Sequence, residues 1–336
     1  MTKNKTIIIA EAGVNHNGNI KLAKRLIDSA SKIGADYIKF QTFKAEDIVT
    51  KTAPKAKYQK KNYGNKDSQY LMLKKLELSE KDHILLKKHC LKKKIEFLSS
   101  SFDINSFNFL MNIGQKIIKI PSGEINNIPY LEHIGKYNKQ IILSTGMSFL
   151  NEVEAAVKTL IKAGTKKNRI TVLHCNTEYP SPMKDLNLKA MVTIKNKLRV
   201  NIGYSDHSGG IIAPLIAVAL GAKVIEKHFT LNKNFKGPDH KASLDVTEFE
   251  RMIKEIRNAE AILGSEIKKP SNSEKKNIKI VRKSIFAKKN ILIGDIFSKE
   301  NICIKRPGNG LQPKFWKKIL GKKSKYRFKK DKAIRL

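Results

Sequence analysis

The 336-residue sequence has little of what marks several protein classes. It holds three cysteines, Cys90, Cys175 and Cys303, far apart in the chain. That number and spacing exclude a disulfide framework and a thiolate metal cluster, and the three read as inert buried thiols. No apolar run approaches the roughly 20 residues of a membrane span. The run "TIIIA" is cut short by Glu11, too early for the apolar part of a signal peptide. A cytoplasmic location follows as the default. Acidic residues are scarce, 30 against 67 lysines and arginines, which leaves a net charge of +37. Such a balance raises the question of a nucleic-acid partner. The lysines are spread along the chain, however, in "LKKHCLKKK", "IKNKLRV" and "FAKKN". Neither an aromatic-rich RNA-binding signature nor zinc-finger spacing accompanies them. Solvated helix faces account for most of them, and a positive field would also gather a small anionic substrate. A dinucleotide fingerprint is missing too, because "EAGVNHNGN" after the first strand is not GxGxxG.

What is present is alternation. Hydrophobic residues make up 40% and charged residues 29%, as in a folded soluble protein. Short β-branched runs recur: "TIIIAEAG", "DYIKFQTF", "IEFLSSSF", "KIIKIPSGE", "QIILSTG", "RITVLHCN", "RVNIGYSDH" and "KVIEKHFTL". Between them lie amphipathic helical patterns such as "KLAKRLIDSASKIGA", "DHILLKKHCLKKK" and "NEVEAAVKTLIKAG". Gly34, Gly164 and Gly221 fall where a left-handed helix cap suits glycine. Eight strand–helix units predict an α/β fold, a (β/α)8 TIM barrel, over residues 1–266. One connection is long, from Phe43 to Glu80, and reads as a lid or a disordered segment over the catalytic face. Residues 267–280, around "KKPSNSEKKN", read as a linker. Residues 281–336 read as a small, mainly β domain whose core is marginal alone.

A barrel places its chemistry at the C-terminal ends of the strands. Polar residues stand at those ends in nearly every unit: Glu11, Lys39, Gln41, Ser100, Lys119, Ser122, Glu124, Ser144, Ser205, Asp206, His207, Glu226 and His228. Lys39 and Gln41 share one face, as do Glu226 and His228, while Ile38 and Phe40 face the helices. His207 and His228 end neighbouring strands, so both could reach one divalent metal that keeps substrate or water bound. Lys39 and Lys119, with the hydroxyls of Ser100, Ser122, Ser144 and Ser205, would bind a phosphate and a carboxylate. A lysine Schiff base, as in a class I aldolase, is the competing chemistry.

At this point the motifs resemble a family. "IIIAEAGVNHNG", "IKFQTFKAEDI", "KIPSGEINNIPYL", "ILSTGM", "LHCNTEYPSP", "IGYSDHSGG", "IEKHFTL" and "GPDHKASL" are together similar to the sialic acid synthases. These include N-acetylneuraminate synthase and the legionaminic acid synthases. "KRPGNGLQP" resembles their C-terminal antifreeze-like (SAF) domain. The resemblance implies a condensation of phosphoenolpyruvate with an open-chain N-acylated amino sugar, with manganese or magnesium on His207 and His228. Phosphoenolpyruvate C3 would attack the aldehyde, water would add at C2, and phosphate would leave by C–O cleavage. Glu124 is the candidate to position or deprotonate that water. Lys39, Ser100, Lys119, Ser122, Ser144 and Ser205 would hold phosphoenolpyruvate. Glu11, Gln41, Asn65, Tyr179, Glu226 and Asp239 would hold the sugar. It also implies a domain-swapped homodimer in which Arg306 reaches the other subunit's sugar site. Two stretches depart from the family pattern. "FLSSSFD" has Ser101 where relatives carry proline, and "HCNTEYP" has Thr177 where some carry asparagine. "HCNTEYP" and "YSDHSGG" point to N-acetylneuraminate as the product, with legionaminic acid as the alternative. A catalytically inactive sugar-binding protein and a basic nucleic-acid-binding protein are the alternatives of a different class.

Overall fold

The structure is a computed structural model that describes residues 5–64 and 67–336. The chain divides into two compact units, Met1–Gly264 and Ser265–Leu336. The first is a closed ring of eight parallel strands in sequence order. They are β1 (Ile7–Gly13), β2 (Tyr37–Thr42), β3 (Glu96–Ser101), β4 (Ile117–Ile120), β5 (Gln140–Ser144), β6 (Ile170–Cys175), β7 (Asn201–Asp206) and β8 (Val224–His228). β1 pairs with β8 to close the ring, with Glu11 opposite His228.

Eight helices, one after each strand, form the outer layer. They are α1 (Ile20–Lys32), then, beyond three short helices, α5 (Glu80–Lys93), α6 (Ile104–Asn112), α7 (Ile128–Gly135), α8 (Leu150–Lys162), α9 (Lys189–Leu198), α10 (Ile212–Ala219) and α11 (Val246–Leu263). The three short ones are α2 (Ala45–Ile48), α3 (Lys57–Tyr63) and α4 (Gln69–Leu76). They fold the long β2–α5 connection into an ordered cover, in place of the lid or disordered segment its length predicts. A small core of Val14, Phe43, Met72 and Leu76 holds them, with Ile48, Tyr63, Leu73 and Phe102 packed against it.

Strand alternation separates two apolar layers. Residues such as Ile8, Ala10, Ile38, Phe40, Ile118 and Ile225 face the helices. Ile9, Leu98, Ile117, Ile142, Leu173 and Val224 fill the lumen. The next inward position on most strands is polar, so the lumen is an apolar plug with a polar layer above it. At Gly203 on β7 an added Cβ would lie 2.5 Å from Leu173 Cδ2 and from the Val224 carbonyl oxygen. The lumen closes there because that residue has no side chain.

The second unit has its own core of Ile285, Ala287, Ile291, Phe297, Ile302, Ile319, Phe328 and Ile334. Its antiparallel pair is β9 (Ser284–Ala287) and β10 (Ile302–Lys305), followed by the short α13 (Trp316–Ile319). The stretch read as a linker is partly helical, as α12 (Asn272–Val281). A capping box explains it: Ser271 accepts from the Glu274 amide, and Glu274 accepts from the Ser271 amide. Among the described residues no helix is long and apolar enough to cross a membrane.

Candidate active site

The C-terminal ends of the strands open into a cavity of about 440 Å³. Glu11, Lys39, Gln41, Ser100, Lys119, Ser122, Glu124, Ser144, Tyr179, Ser205, His207, Glu226 and His228 all line it. The β2–α5 connection adds Phe43, Ile48, Tyr58, Gln59, Gln69 and Leu73. Asp239 lies just behind the wall, its carboxylate 4.0 Å from His228 Nδ1. Asn65 lies outside the described residues. Arg306 belongs to the second unit, exposed in the turn after β10.

Two lysines and two glutamates form the floor, all nearly fully buried. Lys39 Nζ donates to Ser100 Oγ at 3.0 Å and stands 2.9 Å from Glu11 Oε2 and 3.7 Å from Glu226 Oε2. Lys119 Nζ donates to Ser144 Oγ at 2.7 Å and is 3.7 Å from Glu226 Oε1. Ser205 donates to Glu226 Oε1 at 3.1 Å, and Gln41 to Glu11 Oε1 at 3.3 Å. Burial alone would neutralise all four charges. It wins at Glu11, whose pKa is pushed up to about 7 against the pull of Lys39. It loses at Glu226, where Lys119 and Lys39 together hold the carboxyl below its usual range. Burial also lowers Lys119, whereas Glu11 and Glu226 outweigh it at Lys39 and raise that ammonium.

The two histidines stand across from the lysines, ring centroids 5.4 Å apart. His207 Nδ1 bonds the Asn176 carbonyl, so the ring proton sits on Nδ1 and the Nε2 lone pair faces the cavity. Burial keeps the ring neutral, with its pKa pushed down to about 4. The Tyr179 hydroxyl is 3.2 Å from Nε2, but the two rings are stacked 27° apart. The hydroxyl therefore approaches the face of the imidazole, and the other contact of Nε2 is a long one of 3.5 Å with Ser205 Oγ. His228 is held well below its ordinary pKa by burial and by His207. Its Nδ1 is buried with no hydrogen-bond partner. Two neutral imidazoles, one with an unpartnered Nδ1 and one whose Nε2 meets only hydroxyls, fit a divalent cation. Among the described residues no group of three or more His, Cys, Asp or Glu side chains is arranged to enclose one. A cation here would take its remaining positions from substrate oxygens and water.

Glu124 follows β4, is half-buried, and accepts from Asn127 Nδ2 at 2.7 Å. Burial raises its pKa, with Asp103 adding to the effect. Ser122 Oγ accepts from the Gly146 amide at 2.9 Å and touches Cys175 Sγ at 3.3 Å. Cys175 thus lines the cavity, yet burial raises its pKa and keeps it an unreactive thiol. Ser101, standing in place of proline, is held at 2.7 Å by the Tyr130 hydroxyl, which also donates to the Ser101 carbonyl. Lys227, between Glu226 and His228 on β8, faces away from the lumen, yet it is fully buried, paired with Asp206, and donates to the Ser208 carbonyl. Sequence reasoning also missed Tyr58 and Gln59. The length of their loop signalled a cover, and nothing signalled which residues would turn inward.

The chain matches the NeuB family over residues 26–268 and the SAF domain over residues 282–336. This chain belongs to the NeuB family. It is 53% identical to N,N'-diacetyllegionaminic acid synthase of Campylobacter jejuni, over 98% of this chain and 99% of that one. It is 47% identical to the synthase of the same name from Legionella pneumophila, over 94% and 89%. Among solved structures, the N-acetylneuraminic acid synthetase of Leptospira borgpetersenii is 36% identical, with a TM-score of 0.72 over 82% of this chain and 90% of that one. This member of the sialic acid synthase family is an enzyme, a carbon–carbon bond-forming transferase.

Proposed function

We propose that this enzyme is an N,N'-diacetyllegionaminic acid synthase acting in the cytoplasm. It joins C3 of phosphoenolpyruvate to the aldehyde carbon of open-chain 2,4-diacetamido-2,4,6-trideoxymannose, adds water at C2, and releases phosphate. The observation that carries the reaction class is the pair of buried lysines with serine partners facing two neutral histidines. Lys39 and Lys119 bind the phosphate and carboxylate, with Ser100, Ser122, Ser144 and Ser205 donating hydroxyls. His207 and His228 hold a divalent cation, manganese or magnesium, which when bound supplies Lewis-acid polarisation of the aldehyde oxygen. Glu124 holds the water that adds at C2. Glu11, Gln41, Asn65, Tyr179, Glu226 and Asp239 hold the acceptor, joined in a domain-swapped homodimer by Arg306 of the partner subunit.

Identity near or above one half with two legionaminic acid synthases supports the choice of acceptor. It favours that acceptor over N-acetylmannosamine, which "HCNTEYP" and "YSDHSGG" suggested. Those stretches carry Tyr179, Ser205 and His207, which face the reacting end shared by both sugars, so they discriminate poorly. The test is to incubate the protein with phosphoenolpyruvate, manganese and each sugar, and to follow phosphate release. Turnover is expected with the diacetamido sugar, and 18O placed in the phosphoenolpyruvate bridge should leave with phosphate. A clear preference for N-acetylmannosamine would return the assignment to N-acetylneuraminate, and turnover with neither sugar would reject both.

A further inference from the structure

The connection between β2 and α5 is tied to the histidine side of the cavity at two points. Tyr58 of α3 stacks on Tyr179, centroids 4.8 Å apart and planes 27° apart. Asn62 of the same helix donates from Nδ2 to the Pro238 carbonyl at 2.9 Å, one residue before Asp239. Tyr179 stacks in turn on His207 at 4.1 Å and meets His228 edge-on at 5.4 Å. Three rings therefore form a column from a surface helix to the imidazole that faces the acceptor. Aromatic pairs at such separations attract beyond what their burial contributes.

The polar atom of Tyr58 does little here. Its one hydrogen-bond contact among the described residues is a long 3.4 Å approach from the neighbouring Gln59. The ring does the holding. Tyr179 itself sits on the loop after β6, only half-buried, so an unsupported ring there could turn away from His207. The lysine side of the cavity is independent of this support. Among the described residues no hydrogen bond or ion pair of Lys39, Lys119, Ser100 or Ser144 reaches α3.

Resting on the functional reading above, we propose that Tyr58 is a positioning residue for the acceptor sugar. Its ring fixes that of Tyr179, and so fixes the wall against which the aldehyde end lies.

The proposal separates the two substrates. Tyr58→Ala is expected to raise the acceptor KM about tenfold and to leave the phosphoenolpyruvate KM within about twofold. Tyr58→Phe keeps the ring and should behave as wild type. In a Tyr179→Ala background, adding Tyr58→Ala should change nothing further, because both act through one contact. A second readout needs no turnover. In protein carrying 13C-labelled histidine, the His207 ring signal should shift in Tyr58→Ala, as the ring current of Tyr179 moves, and should stay in place in Tyr58→Phe. An unchanged acceptor KM in Tyr58→Ala, a joint rise of both KM values, full additivity with Tyr179→Ala, or an unmoved His207 signal each overturns the proposal. If wild type turns over neither sugar, the functional reading falls, and the His207 signal alone then decides the role of Tyr58.

Discussion

Lys39 and Lys119 share one floor and shift in opposite directions. The difference lies in distance to carboxylate: Lys39 has Glu11 at 2.9 Å, whereas the carboxylate beside Lys119 is at 3.7 Å. Lys119 is thus the cation that gains most from an arriving anion. His16 shows the same desolvation, which outweighs the opposing pull of the Gly13 backbone and Asp82. Its ring is buried, accepts the Gly18 amide on Nδ1 at 3.0 Å, and has its pKa pushed down to about 3. In the unfolded chain it returns to its ordinary value near 6.5. Between pH 6.5 and about 3 the unfolded chain takes up a proton that the folded chain refuses. The contribution of this group is therefore complete above pH 6.5 and is lost as pH drops through that window, on the order of 5 kcal/mol in all. His16→Asn, which keeps an acceptor, should flatten the decline of the urea midpoint between pH 6.5 and 4. An equally steep decline in the variant would remove His16 as a cause.

At the scale of elements, β7 and β8 are joined by more than their ladder. Asp206 and Lys227 are register partners and are fully buried between strand and helix layers. Asp206 also accepts from the Tyr204 hydroxyl and the Ser208 amide. Removing one member leaves a buried charge alone, so Asp206→Ala should cost about 3–5 kcal/mol in urea unfolding. Asp206→Leu combined with Lys227→Met should cost clearly less than that single change, and an equal or larger loss would contradict this account. The strands were legible because period-two alternation writes itself into sequence, and the strand-end rule then picked out Lys39, Lys119, His207 and His228 as cavity residues. The ion pair of Lys227 with Asp206 was not legible, because a partner on the neighbouring strand is visible only once the register is known. α2, α3 and α4 were illegible for another reason: helices of 4, 7 and 8 residues are too short to show a period. α12 had a signal, the Ser271–Glu274 capping box, but polar and turn-forming residues around it read as linker. The stack of Tyr58 on Tyr179 joins a short helix of one connection to the loop of another, and no periodic pattern reports such a contact.

At the scale of the whole molecule, the second unit folds around its own core and carries Arg306 in an exposed turn. Under the proposed dimer, Arg306→Ala should keep the thermal midpoint and raise the sugar KM far more than that of phosphoenolpyruvate. Unchanged sugar kinetics would count against that role. The barrel imposes a condition of its own. Glu11 on the first strand and His228 on the last are register neighbours, and the ring closes between them. No stretch of chain short of β8 contains both sides of the site. A chain still being synthesised therefore stays inert at least until its eighth strand has left the ribosome, and ring closure is a precondition of activity.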